Sequence, residues 1–330
     1  MAVRMILFMT AVFAILAALL AYPIIKIRIS PSISRPAPSP LRSGAAIDLY
    51  RHVETLSVKI GSRSVFEYAQ IDAAKEYIET VLRDSGIPYS LQTYSFEGKT
   101  YSNVIVTIAG KIRSAEVVIF GAHYDSVLGT PGADDNASGV SILLEMCRAL
   151  RSFSPGRTLK LVFFALEEHP IFHTENMGSY VYAAWAREST EDIRAMVALE
   201  MLGYYSDVKG AQSFPLPFMS LIYSSTPDFV AVVGNPKSKD IVKRIRDSIR
   251  KVPGLPVETL AASGMVPGVD LSDHAPFWDM GYPAVMITDT AFYRNPNYHS
   301  PSDTIETLDF EKMSLLLKGL IQTARDLADG

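Results

Sequence analysis

Three segments in the middle of the chain leave few folds open. From Glu116 the sequence reads EVVIFGAHYDS, from Ser138 it reads SGVSILLEMCRAL, and from Lys160 it reads KLVFFAL. The first and third have continuously apolar stretches, as strands buried on both faces do. Between them Val140, Leu143, Leu144, Cys147 and Leu150 recur at helical spacing. A strand, a crossover helix and a second strand of this kind predict a sheet with helices packed on it. Further strands are expected in SLQTYSF from Ser90, in SNVIVTIAG from Ser102, and over Ala195–Leu199 and Ala284–Thr288. Helices are expected where Ile47, Tyr50, Val53 and Leu56 recur, where Ile71, Ala74, Ile78, Val81 and Leu82 recur before a stop at Gly86, and over Ser238–Lys251 and Phe310–Leu327. The fold class expected is α/β: a three-layer sandwich around a central mixed, mostly parallel sheet, over residues 45–330, with no internal repeat.

The N-terminus has another character. Met5 to Ile25 is uncharged and apolar, long enough to span a bilayer as a helix, and longer than the apolar stretch of most cleavable signals. Residues 1–29 are therefore expected to form a hydrophobic helix that anchors the chain in a membrane through residues 5–25, with the domain outside the cytoplasm. Secretion after cleavage near Ala21 is the alternative. Residues 30–44, SPSISRPAPSPLRSG, are rich in proline and serine and read as a tether. Lysine plus arginine count 31 against 35 aspartates and glutamates, for a net charge of −4, which gives nucleic acid no electrostatic reason to bind. Cys147 is the single cysteine, so a metal site would have to use histidine and carboxylate.

Such residues gather at the expected carboxyl ends of the strands, where open α/β sheets bind their ligands. His123 and Asp125 follow VVIFGA. Asp134 and Asp135 precede the helix at Ser138, Glu167 and Glu168 follow LVFFAL, Glu200 follows MVAL, and His299 follows a long loop after AVMITDT. Singly, each has a structural reading: Asp135 or Asn136 would cap the following helix, and the paired glutamates would sit on a solvated loop. Together, two histidines and several carboxylates suit zinc.

The motifs GAHYDS (121–126), GADDNASG (132–139), FFALEE (163–168), LEM (199–201) and NYHSPSDT (297–304) resemble, in order and spacing, those of the zinc aminopeptidases with two co-catalytic metals. That family includes secreted bacterial aminopeptidases, the peptidase domain of glutamate carboxypeptidase II, and glutaminyl cyclases. The resemblance implies two zinc ions bridged by Asp134, with His123 and Glu200 completing one site and Glu168 and His299 the other. It implies Glu167 as general base toward a zinc-activated bridging water, Asp125 orienting His123, Tyr298 bonding the oxyanion, and a cis peptide between Asp134 and Asp135. The substrate would be a peptide with a free N-terminus. Two departures stand out: many relatives have aspartate where Glu200 stands, and HPIFHTENMGS (169–179), with His169 and His173, replaces a shorter glycine-rich stretch. His274 in SDHAPF would support the site from behind. A glutaminyl cyclase is the alternative, though cyclases carry tryptophan before the last metal histidine, where this chain has Tyr298. A peptidase-like ectodomain without catalysis is the other.

Overall fold

The computed structural model describes residues 41–330. The expected anchor at residues 5–25 and most of the expected tether lie outside the described residues. Among the described residues no helix is long and apolar enough to cross a membrane.

The domain starts slightly earlier than expected. The backbone N–H groups of Arg42 and Ser43 donate to the Glu311 carboxylate at 2.6 and 3.1 Å, so residues 42–44 belong to the domain rather than to a free tether. Ser43 caps the first helix, α1 (Gly44–Val53), by accepting from the N–H of Ala46. The chain continues into a wider π-type turn, Glu54–Ile60, and then α2 (Tyr68–Asp84), which buries Ile71, Ala74, Ile78, Val81 and Leu82 as the spacing predicts. Three strands follow, β1 (Ser90–Phe96), β2 (Lys99–Ile108) and β3 (Arg113–His123). Next come α3 (Gly139–Leu150), β4 (Arg157–Phe164), α4 (Gly178–Glu188) and β5 (Asp192–Glu200). The last third holds β6 (Val230–Gly234), α5 (Lys239–Ile249), β7 (Val257–Ala261), the short α6 (His274–Asp279), β8 (Ala284–Thr288) and α7 (Phe310–Asp329).

The eight strands form one sheet in the order β1-β2-β4-β3-β5-β8-β6-β7. Its centre, β4-β3-β5-β8, is parallel. On one flank β2 runs antiparallel to β4 and β1 to β2. On the other, β6 opposes β8 and β7 runs with β6. The sheet is mixed, as expected, with its parallel pairings concentrated in the middle.

Two apolar layers flank it. One face packs Val118, Phe120, Leu161 and Val197 against Leu49 of α1, Ile78 of α2, Leu143 of α3, Ile245 of α5 and Leu320 of α7. The other packs Ile119, Val162, Phe164, Met196 and Ala198 against Tyr182 and Ala186 of α4 and Phe277 of α6. Side chains alternate between faces along each strand, so residues an even number apart share a face. Helices therefore lie on both sides of the sheet, and the parallel strands all end at the same edge.

Candidate metal centre

That edge brings six of the singled-out side chains together. His123 is the last residue of β3 and Glu200 the last of β5, while Glu167 and Glu168 follow β4 across a turn in which Leu166 has φ 57°. A close backbone approach holds this turn. Gly178 donates its N–H to the Ala165 carbonyl at 2.7 Å, and a Cβ there would stand 2.1 Å from that oxygen. Asn103 bonds both segments, accepting from the N–H of Ala165 and donating to the Gly178 carbonyl.

Asp125 fixes the geometry of three of these residues. Its carboxylate faces Nδ1 of His123 at 3.2 Å and accepts the backbone N–H groups of Glu167 and Glu168 at 2.9 and 3.0 Å. Nε2 of His123 is left aimed into the site, 3.4 Å from Asp135 Oδ1, 3.4 Å from Glu200 Oε2 and 4.0 Å from Glu167 Oε2. On the far side His299 Nε2 lies 3.2 Å from Asp135 Oδ2 and 3.3 Å from Glu168 Oε2. Asp135 thus presents one oxygen to each histidine. Ser272 supports Glu200 by donating to its Oε2 at 2.7 Å.

The sequence reading misplaces this shared carboxylate by one residue. Asp134 does not join the cluster. Its Oδ1 accepts from the N–H of Gly203 at 2.8 Å and its Oδ2 from Asn295 Nδ2 at 2.7 Å, beneath the site. The cis peptide likewise joins Asp135 to Asn136, not Asp134 to Asp135. The backbone leaves helical geometry at Asp135 and Asn136, which turns the two adjacent aspartates in different directions. Asp303, a residue the motifs alone do not single out, accepts the N–H of Asp134 at 2.9 Å and that of Asp135 at 3.1 Å. The capping reading survives for Asn136, whose side chain accepts from Gly139 N–H, and not for Asp135.

The loop between His123 and Asp135 is held by a buried guanidinium. Arg63 donates to the carbonyls of Tyr124, Pro131 and Gly132 in that loop, and to those of Leu56 and Gly61. Burial lowers its pKa to about 10, so it remains charged at neutral pH.

The remaining histidines stand apart. His274 is buried and bonds the Val269 carbonyl, and burial lowers its pKa to about 4. His169 and His173 both pack against Phe172 in the 169–179 loop. Tyr298 stacks on His299, ring centroids 3.7 Å apart.

The donor set fits divalent cations. Two groups, His123–Asp135–Glu200 and Asp135–Glu168–His299, each bring three ligand atoms together and share Asp135; Glu167 falls with His123 and Glu168 in a third. Nε2 of His123 and Oε1 of Glu168 are buried without a hydrogen-bond partner. Four carboxylates surround two imidazoles, so negative charge is in excess, and the protonation states reflect it. Burial opposes the imidazolium of His123, but the charges of Glu200 and Glu167 outweigh it and raise its pKa well above the ordinary value. His299, also opposed by burial, is pushed up to about 10 by Asp135 and Glu168. Burial, reinforced by the charge of Asp135, pushes Glu168 up to about 8. Without metal, protons stand where a cation's charge would act.

Two expected results follow from this arrangement. Ligation needs neutral histidine and ionised carboxylate, so zinc binding at pH 7 should release protons from His299 and Glu168. Calorimetry in buffers of different ionisation enthalpy measures that release, which should shrink as pH approaches 10. Metal-free stability should move the same way. The raised His299 contributes stability present below about 6.5 and lost as pH rises through about 10; the raised Glu168 adds a loss between about 4.3 and 8. The second result concerns Asp125→Asn. An amide cannot accept from both glutamate N–H groups and His123 without turning its own NH₂ toward a donor. Zinc affinity should fall about 10–100-fold, as for other partners that orient a metal-binding histidine, read by competition with a chromophoric chelator.

Comparison with known proteins agrees with the geometry. The Escherichia coli K12 protein YfbL is 37% identical over 292 residues, covering 86% of this chain and 89% of its own. Leucine aminopeptidase 1 of Metarhizium robertsii is 29% identical over 258 residues, 73% of this chain; the chain spans only 59% of that enzyme's length. The zinc aminopeptidase BSAP from Bacillus subtilis shares the fold, with a TM-score of 0.68 at 16% identity over 90% of this chain and 97% of its own. The model of peptidase family M28 matches residues 103–323, which contain every residue of the cluster, and the chain belongs to that family.

Proposed function

We propose that the protein is a metal-dependent aminopeptidase that holds two zinc ions, one on His123, Asp135 and Glu200 and one on Asp135, Glu168 and His299. The observation that carries the reading is the sharing of one carboxylate, Asp135, between two three-ligand groups at the carboxyl edge of the sheet. Bound there, zinc supplies Lewis acidity toward the scissile carbonyl and lowers the pKa of the attacking water.

The chain's own residues do the rest. Glu167 is the general base. It faces the cluster, and burial, with the charges of Glu168 and Glu200, raises its carboxyl pKa well above the usual range. It can therefore take the proton of the attacking water and hand it to the leaving amine. Burial and the nearby carboxylates likewise hold the Tyr298 phenol protonated, so its O–H can donate to the oxyanion that develops on the carbonyl. Tyr298 in place of tryptophan, and a complete second ligand group, speak against a cyclase. The apolar residues 5–25 support a membrane anchor that presents the domain outside the cytoplasm; sedimentation of the full chain with membranes, and protection of the domain from added protease in intact cells, test that part.

The activity test is metal content measured alongside a panel of aminoacyl 4-nitroanilides. Two zinc ions per chain and hydrolysis abolished by chelation are expected. Hydrolysis that survives thorough removal of metal would overturn the two-metal reading, and a zinc-loaded protein inert toward the whole panel would overturn the aminopeptidase.

A further inference from the structure

Beside Glu200 and Tyr298 lies a cavity whose floor is the sheet itself. The strand registers place Glu200 beside Thr288, Thr288 beside Ala231, and Ala231 beside Glu258. All four side chains stand on the same face. Ala198 of β5, Met286 of β8 and Ala231 of β6 belong to one apolar layer, and Glu200, Thr288 and Glu258 fall in step with them along and across the strands. The floor is thus a row across four strands, with a carboxylate at each end and two small side chains between.

Three strand spacings separate the ends, about 14 Å. Glu200 of the metal centre stands at one end of the cavity and Glu258 at the other. The gap between them matches an extended lysine or arginine side chain. Thr288 and Ala231 leave the row open, whereas the neighbouring row is filled by Met286 and Val233. Phe292, Tyr293 and Tyr223 wall the cavity and offer apolar surface to a methylene stem.

The far acid is placed to receive a cation. Glu258 is half-buried, and burial raises its pKa against a bond from the Ser224 backbone, with nearby Asp228 adding to the rise. The neighbouring cation, Arg250, donates to the Val257 carbonyl at 3.3 Å, and its charge offsets that rise only in part.

We propose that Glu258 is a specificity-determining residue and that the cavity takes a long N-terminal side chain ending in a cation, arginine or lysine, with its stem along Thr288 and Ala231 and its head on the Glu258 carboxylate. This rests on the aminopeptidase reading of the metal centre.

The test compares arginyl and leucyl 4-nitroanilides as a ratio of kcat/KM, for the zinc-loaded full chain and for Glu258→Gln and Glu258→Asp. A ratio cancels general damage to folding or metal binding. Arginyl substrate should be preferred, the ratio should fall about 10- to 100-fold in Glu258→Gln, the range of a hydrogen bond to a charged group, and Glu258→Asp should keep part of it. Hydrolysis of both substrates with a leucyl preference, or with a ratio unmoved in Glu258→Gln, would overturn the pocket assignment and leave the aminopeptidase intact. If no anilide is cleaved, the aminopeptidase reading fails, and calorimetric binding of argininamide against leucinamide decides the pocket. Selective weakening of argininamide in Glu258→Gln would uphold it; equal binding of both amides would sink it.

Discussion

Glu167→Gln should lower kcat by about 10²–10⁴, the usual cost of losing a general base, while the zinc content of the chain stays as it was. The amide keeps the shape of the side chain and its backbone bond to Asp125, but it cannot accept a proton. Glu168→Gln should behave differently. Its carboxylate lies 3.3 Å from His299 Nε2 and closes one ligand group, so the variant should lose zinc from that group and regain activity in excess zinc. Because Glu167 also falls in a candidate ligand group with His123 and Glu168, the pair of variants separates base from ligand. Metal loss in Glu167→Gln with full occupancy in Glu168→Gln would exchange their roles.

The second large effect separates two adjacent aspartates. Asp135→Asn removes a carboxylate that both ligand groups use. It should cost more zinc affinity than the ~10–100-fold of an orienting partner, at both positions, and turnover should go with it. Asp134→Asn should leave zinc bound. Burial and the charge of Asp289 raise the Asp134 pKa well above the ordinary value, which favours the uncharged carboxyl and makes an amide a fair substitute. Its bonds to Gly203 and Asn295 are partly disturbed, and a stability loss of about 1–3 kcal/mol is expected, read from the denaturation midpoint. Zinc lost in Asp134→Asn and retained in Asp135→Asn would return the shared position to Asp134.

Much of this architecture is legible in the chain. The runs at Val117–Ala122 and Leu161–Phe164 are apolar without interruption because β3 and β4 are covered on both faces. The far flank is not so readable. β6 and β7 are five residues each, and β7 includes Glu258 because that face borders a cavity rather than a helix. Helix α4 starts at Gly178, inside the 169–179 stretch, with no side-chain cap to announce it. Within the site, the residue types could be read, and for His123, Glu167, Glu168 and Glu200 the strand ends too, since each of these four follows an apolar run. The choice between Asp134 and Asp135 could not. It is made by a local departure of the backbone from helix, and by Asp303, 168 residues further along, which holds both N–H groups. Spacing rules carry no information about such a contact.

The buried guanidinium of Arg63 sets a lower limit on how small an autonomous version of this enzyme can be. The stretch matched to the family begins at residue 103, forty residues after Arg63. A chain cut to that stretch would contain all six clustered side chains and yet take the Arg63 donor from the carbonyls of Tyr124, Pro131 and Gly132, of which Gly132 keeps only the N–H of Ala137. An unpaired buried polar group costs about 1–3 kcal/mol, and these three sit in the one loop that sets His123 against Asp135. The stretch that carries the site is therefore not the part that can stand by itself. Grafts, truncations and chimaeras built on this scaffold need their boundary ahead of Arg42, where the first helix is already tied to the last.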